Sequence, residues 1–291
     1  MEINKISEKL NDLKCEKEVL KKLGREYEIL GVYQGEDRVI TSEQALEELK
    51  EDENRQVLKV KSTISALDKI VGDFREGQLV ILSSPTGQGK TTFCQTLTYA
   101  FADQNINSVW FSYEVGIREF MEKMPDAPLF YLPRRIKQNS MDWLEARIKE
   151  GIAKYNCKIV FIDHLHYLLE MQKMAEAKSL SLLVGMMMRQ LKRLAIENEI
   201  IIFLVSHMRK VRYDTNKLPD IDDLRDSSFV GQESDIVIFL QRVMEKGDEG
   251  QDIATNRALL KVAKNRRLGS LGYVKLTFNN NRFYEETDYQ E

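Results

Sequence analysis

Five short, nearly continuous apolar runs divide the middle of the chain. They are QLVILSS (78–84), SVWFSY (108–113), KIVFID (158–163), IIIFLVS (200–206) and DIVIFLQ (235–241). Such runs are typical of strands in a parallel sheet whose two faces are both covered by helices. Two later runs, RALLKVAK (257–264) and YVKLTFN (273–279), alternate between apolar and polar positions, which favours an antiparallel hairpin. The pattern predicts an α/β fold with a mostly parallel sheet flanked by helices and antiparallel C-terminal strands.

Helical periodicity marks other parts of the chain. Apolar residues at spacings of mostly three, four and seven predict one charged helix over residues 1–24. Its apolar stripe is narrow, so the helix either packs on a neighbouring subunit or folds back on its own domain. A short extended pair is expected over 26–40, and the sequence TSEQ at 41–44 resembles a capping box that opens a helix. A further helix is predicted over about 178–197, and its three consecutive methionines, 186–188, are interpreted as core filling.

Composition limits the kind of protein this is. A chain of 291 residues allows one large domain or one medium domain with an appendage, and we expect a helical extension and linker over 1–57 and one domain over 58–291. The net charge of −3 means that any contact with nucleic acid depends on a local basic patch. The three cysteines are widely separated, which argues against a disulfide framework or a zinc ribbon. No apolar run approaches the ~18 residues of a membrane helix, so we expect a soluble, cytoplasmic protein.

The first of the five strands runs directly into a glycine-rich turn, SSPTGQGKTT (83–92). The turn nearly fits the phosphate-binding pattern GxxxxGK[ST]; Ser84 stands in place of the first glycine, where only a small residue is required. Gly87 and Gly89 permit unusual backbone angles and close approach of phosphate oxygens. Lys90 would reach the β- and γ-phosphates, and the Thr91 hydroxyl would bind Mg²⁺. The sequence therefore predicts a P-loop with these nucleotide-binding residues: Ser84, Pro85, Thr86, Gly87, Gln88, Gly89, Lys90, Thr91 and Thr92.

Polar side chains end the neighbouring strands. Asp163 closes KIVFID, where a carboxylate can hold a magnesium shell through water. Glu114 follows VWFSY, where it would act as the general base that polarises the attacking water, unless it is simply an exposed glutamate. His207 follows IIIFLVS, where it would hydrogen-bond the γ-phosphate, unless it is structural. The predicted metal ligands are thus Thr91 and Asp163.

Six sequence blocks, in this order, carry a family resemblance: STISALDKIVGDFREGQLVILSSPTGQGKTTF, FSYE, IVFID, LVSHMRK, DDLRDSSFVGQESDIVIFLQR and LLKVAKNRRLGSLGYVKLTFNNNRF. They resemble the RecA-like ATPase domain of DnaB-type hexameric replicative helicases, over about residues 58–284. The histidine of LVSHMRK is more similar to the phage primase–helicase and Twinkle branch. Asp73 departs from the family, which generally has a glycine there.

The resemblance implies an ATP site shared between two subunits. The block KNRRLG corresponds to the element that a neighbour supplies, so Arg266 would be an arginine finger acting in trans, with Lys264 beside it; Arg267 is one residue out of register. The alternative is a basic turn that merely solvates a hairpin. Arg242 and Phe278 correspond to the positions that sandwich the adenine base, or else lie at the edge of the core.

The resemblance also implies that single-stranded DNA passes through the pore of a ring. The loop that follows His207 is rich in basic side chains, and four of them are expected to bind DNA: Arg209, Lys210, Arg212 and Lys217. The alternative is a mobile solvated loop. The segment after Asp163 would be a second pore loop by family position.

The function implied is an ATP-driven, hexameric DNA helicase motor that moves 5′ to 3′ on single-stranded DNA. Residues 1–57 are too short for the helical N-terminal domain of DnaB, and no primase or zinc-binding module is evident, so a separate primase or loader is a candidate partner. Two other functions stay open: a filament-forming RecA or RadA recombinase, and a KaiC-like regulatory ATPase or loader. Unwinding of a forked duplex and DNA-stimulated ATP hydrolysis separate them.

Overall fold

The computed structural model describes residues 21–22, 35, 38–51, 57–124, 126–136, 140–164, 180–208, 219–224, 227–246 and 251–286. The chain divides into two units, Met1–Gln56 and Val57–Glu291. The helix predicted over 1–24 and the extended pair predicted over 26–40 lie almost entirely outside the described residues, so both stay predictions.

The first unit contains one described α-helix of several turns, α1 (Ser42–Glu51). The Gln44 backbone N–H donates to Thr41 Oγ1 at 3.1 Å, and the Thr41 backbone N–H donates to Gln44 Oε1 at 3.0 Å. This reciprocal pair satisfies two backbone donors at the start of the helix and is the capping box that the sequence predicts. That prediction is confirmed.

The second unit is built on an eight-stranded sheet with the strand order β10-β9-β8-β7-β3-β6-β5-β4. The neighbouring pairs from β4 to β7 are all parallel, and β7, β8, β9 and β10 pair antiparallel. A separate two-stranded antiparallel ladder joins β1 to β2. The strands are β1 (Lys59–Val60), β2 (Phe74–Arg75), β3 (Leu79–Ser84), β4 (Ser108–Ser112), β5 (Ile159–Asp163), β6 (Ile201–His207), β7 (Ile236–Lys246), β8 (Asp252–Asn265), β9 (Gly272–Asn279) and β10 (Arg282–Glu285). The predicted fold class is confirmed.

Helices cover both faces of this sheet. They are α2 (Ser65–Val71), α3 (Lys90–Asp103), α4 (Ile117–Glu122), α5 (Met141–Tyr155), α6 (Leu180–Glu197), a 3₁₀ turn (Ile221–Asp223) and α7 (Ser227–Glu233). Val80 and Leu82 of β3 pack in a core that contains α2 and α3 residues, whereas Leu79 and Ile81 pack in a second core that contains α5 and α6 residues. Because successive strand side chains point to opposite faces, the part of β3 that lies between the two cores, residues 79–82, is apolar at every position.

Some features differ from the sequence prediction. Met187 and Met188 are buried as expected, but Met186 is 60% exposed, because the three consecutive positions of a helix cannot all face one core. The pattern did not single out α5 or the short strands β1, β2 and β10. Across the described segments, no helix has both the length and the apolar character needed to cross a membrane.

Candidate nucleotide-binding site

The predicted P-loop forms the turn between the end of β3 at Ser84 and the start of α3 at Lys90. Gly87 and Gly89 have φ angles of 79° and 95°, in the left-handed region that side chains disfavour. A Cβ atom at Gly89 would also lie 3.0 Å from Cζ of Phe283. The turn therefore has the backbone geometry of an anion cradle at a helix N-terminus, and it requires glycine at position 89 for two reasons.

Lys90 is held inside this turn. Its side chain is buried, and Nζ donates to the backbone carbonyls of Ser84 at 3.2 Å and Pro85 at 3.1 Å. Burial lowers the pKa of the Lys90 ammonium, and the charge of Asp163 opposes that shift. A cation fixed at the mouth of a turn of backbone N–H groups suits a triphosphate.

Thr91 and Asp163 meet at the first turn of α3, where Thr91 Oγ1 donates to Asp163 Oδ2 at 2.5 Å. The other carboxylate oxygen, Oδ1, is buried and has no hydrogen-bond partner among the described residues. Burial raises the pKa of Asp163 to about 6; the Thr91 hydrogen bond opposes this shift and the Glu114 charge adds to it. A buried oxygen without a partner beside a hydroxyl fits Mg²⁺ or its water shell, because hard cations take oxygen ligands.

Glu114 and His207 lie at the same carboxyl edge of the sheet. Strand β4 pairs with β5 so that Ser112 is opposite Asp163, and the chain continues to Glu114, which is exposed in the wall of a cleft of about 590 Å³. His207 is the last residue of β6 and pairs with Ser84 at the end of β3. The fold thus brings Lys90, Thr91, Asp163, Glu114 and His207 to one edge, as expected when parallel strands end together.

Sequence reasoning missed His164, which is buried next to Asp163. Its ring lies edge-on to the His207 ring, with 4.1 Å between centroids. Glu114, His164 and His207 each offer a ligand atom, and these three atoms lie within 4.8 Å of one another. The sequence held one signal, the position directly after Asp163, but the pairing of β5 with β6 is needed to place the two histidines together.

The predicted adenine residues lie next to the P-loop. The Arg242 backbone N–H donates to Gln88 Oε1 at 2.7 Å, which ties β7 to the turn. The Arg242 guanidinium donates to the Thr255 carbonyl, and its Cζ lies 4.9 Å from the centroid of the Phe278 ring. Arg242 and Phe278 thus contact each other directly, so a base stacked between them requires the pair to separate.

Arg266 lies at the opposite end of the sheet from the P-loop. Its guanidinium pairs with Asp235 Oδ1 at 3.4 Å, and Asp235 Oδ2 accepts from the backbone N–H of Leu79, the first residue of β3. The P-loop begins at the last residue of β3, Ser84, and six strand residues span roughly 15–20 Å. Within one protomer, therefore, Arg266 is not brought to the phosphate-binding turn.

The two basic neighbours of Arg266 make contacts within the protomer. Lys264 Nζ donates to the carbonyls of Gly231 at 2.6 Å and Ser234 at 2.6 Å, near the end of α7, and burial lowers the pKa of this ammonium. Arg267 donates to the carbonyls of Val71 and Asp73, each at 3.1 Å. Arg267 therefore holds the turn before β2, which is a structural role.

The four residues expected to bind DNA, Arg209, Lys210, Arg212 and Lys217, lie outside the described residues. So does most of the segment expected to form a second pore loop after Asp163. Both remain predictions that depend on the sequence.

Comparison with known proteins identifies a domain family that the chain matches. The model of the DnaB-like helicase C-terminal domain matches residues 121–285. This match lies beyond the P-loop, whose assignment therefore stands on its own geometry. The replicative DNA helicase DnaB of Mycoplasma pneumoniae is 25% identical over 263 residues, which cover 75% of this chain and 54% of that protein. The chain spans between 54% and 62% of the length of the first curated relatives it matches.

Two solved structures have the same fold. The first, an ATPase domain, matches with a TM-score of 0.69 and 22% identity, covering 85% of this chain and 99% of that chain. The second, a DnaB-like replicative helicase whose structure was described with its interactions with primase, matches with a TM-score of 0.67 and 19% identity, covering 94% and 77% of the two chains. These structures support the RecA-like fold, and the domain match covers more than half of the chain. The chain belongs to the family of DnaB-like helicase C-terminal domains.

Proposed function

We propose that this chain is an ATP-driven motor that hydrolyses ATP between the subunits of a hexameric ring, moves 5′ to 3′ on single-stranded DNA and unwinds duplex during replication. The observation that carries the proposal is the division of the site between two ends of one strand. The phosphate-binding turn follows Ser84, and the predicted arginine finger is anchored beside Leu79. A complete site then needs two copies of the chain.

The residues at the carboxyl edge have distinct roles in this proposal. Backbone N–H groups of residues 86–89 and the Lys90 ammonium bind the phosphates, and Thr91 and Asp163 hold Mg²⁺. Bound Mg²⁺ neutralises charge on the phosphate oxygens. Glu114 accepts a proton from the attacking water, and His207 donates a hydrogen bond to the terminal phosphate.

The arginine acts from the neighbouring copy. Arg266 is half exposed, so its guanidinium is accessible to a second protomer, whereas Arg267 is engaged with the turn before β2. A planar guanidinium can bind a phosphoryl group bidentately and stabilise the charge that develops during transfer. Lys264 is proposed to assist, after release from the carbonyls at the end of α7. Arg242 and Phe278 are proposed to hold the base.

DNA contact is proposed for the loop that begins directly after Met208. Its four basic residues would neutralise the phosphate backbone, and its attachment to β6 links it to His207. A primase or a loader is a candidate partner, and a cytoplasmic location is part of the proposal. A variant without the charges of Arg209 and Lys210 is expected to bind single-stranded DNA more weakly, with a salt dependence reduced by about one unit of slope per lost phosphate contact.

Mixed oligomers test the divided site. Lys90→Ala and Arg266→Ala subunits are each expected to be inactive in ATP hydrolysis when assembled alone. Mixed together, they form some interfaces in which a native Lys90 faces a native Arg266, so hydrolysis is expected to return. A mixture that stays as inactive as its components, although mass spectrometry detects mixed oligomers, would contradict catalysis in trans.

Unwinding of tailed duplexes tests the motor itself. The chain is expected to separate a forked duplex only with ATP, and to prefer a substrate with a 5′ tail over one with a 3′ tail. ATP hydrolysis stimulated by DNA, together with filaments and no unwinding, would instead favour the recombinase. Hydrolysis that DNA does not stimulate would favour a regulatory ATPase.

A further inference from the structure

Glu114 and His207, which the proposed hydrolysis uses, form a cluster with His164, to which that hydrolysis gives no role. The cluster presents two imidazole nitrogens and one carboxylate oxygen, and the three ligand atoms lie within 4.8 Å of one another. His164 is buried and His207 is half-buried, and their rings are held edge-on at 4.1 Å between centroids. His164 directly follows β5 and His207 ends the neighbouring strand β6, while Glu114 is exposed and can adjust its side chain.

This donor set differs in kind from the pair Thr91 and Asp163. Mg²⁺ prefers oxygen ligands, whereas imidazole nitrogen suits Zn²⁺, Co²⁺ and Ni²⁺. Two histidines and one carboxylate, with a further position open to water, form a recurrent zinc ligand set. Zinc–ligand bonds of about 2.1 Å in a tetrahedral site place the ligand atoms about 3.4 Å apart, so ligand atoms separated by as much as 4.8 Å need to approach by up to about 1.4 Å. Rotation of the exposed Glu114 side chain can supply that approach.

We propose that Glu114, His164 and His207 form a binding site for a divalent transition-metal ion such as Zn²⁺, separate from the Mg²⁺ position, and that the bound ion inhibits ATP hydrolysis. The inhibitory part rests on the proposed function. A Glu114 carboxylate that coordinates Zn²⁺ cannot accept a proton from water, and a His207 nitrogen that coordinates the ion cannot donate to a phosphate. The ion would therefore occupy both groups at once without displacing the P-loop.

The binding test uses the full chain without nucleotide. Cys94 and Cys157 are buried, and a Cys15→Ser background removes the remaining thiol. Zn²⁺ affinity is measured by competition with a chromophoric chelator, and Co²⁺ reports the ligands through its visible absorption. We expect one bound ion per chain, Co²⁺ bands without a thiolate charge-transfer band, and a loss of affinity of at least about tenfold in both His164→Gln and Glu114→Gln.

The matched control is His166→Gln, because His166 is the one histidine of the sequence that the proposed site does not include. It is expected to change Zn²⁺ affinity by less than about twofold. Since His164 is buried, its variant is also checked for folding by thermal unfolding; Glu114 is exposed and gives an independent reading if the His164 variant does not fold. Unchanged affinity in Glu114→Gln, or an equal loss in His166→Gln, would overturn the site.

Inhibition is measured separately, as ATP hydrolysis by the wild-type chain with excess Mg²⁺ and increasing Zn²⁺. Turnover is expected to fall as the site fills and to recover when a chelator removes the ion. Full turnover at saturating Zn²⁺ would overturn the inhibitory role while leaving the site in place. A chain that binds Zn²⁺ but never hydrolyses ATP would instead refute the proposed function, so the two failures are distinguishable.

Discussion

At the scale of single residues, the two glycines of the P-loop turn exclude a side chain for different reasons. Gly87 has a φ of 79° but nothing lies within 4 Å of an added Cβ, whereas at Gly89, with a φ of 95°, that atom would also meet the Phe283 ring at 3.0 Å. Gly116 has an ordinary φ of −67° and open space around it. The three positions therefore separate backbone strain from steric overlap.

Alanine at these three positions is expected to lower stability in a graded way. Gly87→Ala should cost about 1 kcal/mol, because the left-handed conformation disfavours a Cβ. Gly89→Ala should cost more, roughly 2–4 kcal/mol, since overpacking adds to the same strain. Gly116→Ala, the control, should cost less than about 1 kcal/mol, since alanine is only a poorer N-cap than glycine at the start of α4. Denaturant unfolding measures the series, and equal stability of the Gly87 and Gly89 variants would contradict the packing against Phe283.

Asp163 gives a prediction for the pH dependence of stability. Burial raises the pKa of Asp163 from 3.8 to about 6, so the folded state holds a proton that the unfolded state releases between those two values. Stability of the nucleotide-free chain should therefore decrease as pH rises from about 4 to 6, by roughly 2–3 kcal/mol from this group. Asp163→Asn should lack this component. The difference between the two unfolding curves measured across that range tests it, and parallel curves would contradict a raised pKa.

The positions of Lys90, Thr91 and Asp163 were predictable because each follows an apolar strand or a glycine-rich turn in the local sequence. His164 was not predictable as a site residue, since its contact with His207 depends on which strands pair. The resemblance paired Arg242 and Phe278 only as the two sides of an adenine base. Their direct contact was not predicted, because side-chain packing is not encoded in local patterns.

At the scale of elements, the sequence predicted the strands best where they lie between two cores. Both faces of such a strand are apolar, and the resulting run is unambiguous. The two-residue strands β1 and β2 are too short to produce any pattern. Helix α5 was not singled out, although Ser140 provides a recognisable N-cap by accepting from the Trp143 backbone N–H at 3.2 Å.

Removal of this cap should weaken α5. Ser140→Ala is expected to cost about 1 kcal/mol, because the Trp143 N–H loses its acceptor, while Ser140→Asp should retain most of the stability. Ser65→Ala is a matched control, since the start of α2 has no side-chain cap. Thermal unfolding measures all three, and equal melting temperatures for the Ser140→Ala and Ser65→Ala variants would show that the cap contributes nothing.

At the scale of the whole molecule, two adjacent arginines make different contacts. Among the residues that the structure describes, the Arg266 side chain contacts Asp235 and the Gln232 carbonyl, and it is 48% exposed. Arg267 bonds to the carbonyls of Val71 and Asp73 within its own domain. The sequence distinguished the two arginines only by their register with the family motif. The contacts distinguish them physically, because Arg266 is half exposed and Arg267 is bonded to two carbonyls.

Substitution of each arginine by alanine should therefore have opposite signatures. Arg266→Ala should abolish ATP hydrolysis while largely retaining ATP binding, because the nucleotide is held by another chain's P-loop. Arg267→Ala should lower the free energy of unfolding by about 1–3 kcal/mol, since two carbonyls lose a charged donor. Hydrolysis, nucleotide binding and thermal unfolding are measured on both. Near-normal turnover in Arg266→Ala would remove the shared site.

The anchoring of Arg266 beside Leu79 has a mechanical consequence for a ring assembled as proposed. The C-terminal end of strand β3 would lead into the turn that binds one ATP. Its N-terminal end would support the guanidinium that reaches the ATP of the neighbouring subunit. Movement of the Arg266 guanidinium away from the neighbouring ATP would act on Asp235, and through Asp235 on Leu79. The six residues of β3 would then connect two adjacent ATP sites directly, so that hydrolysis at one site influences hydrolysis at the other.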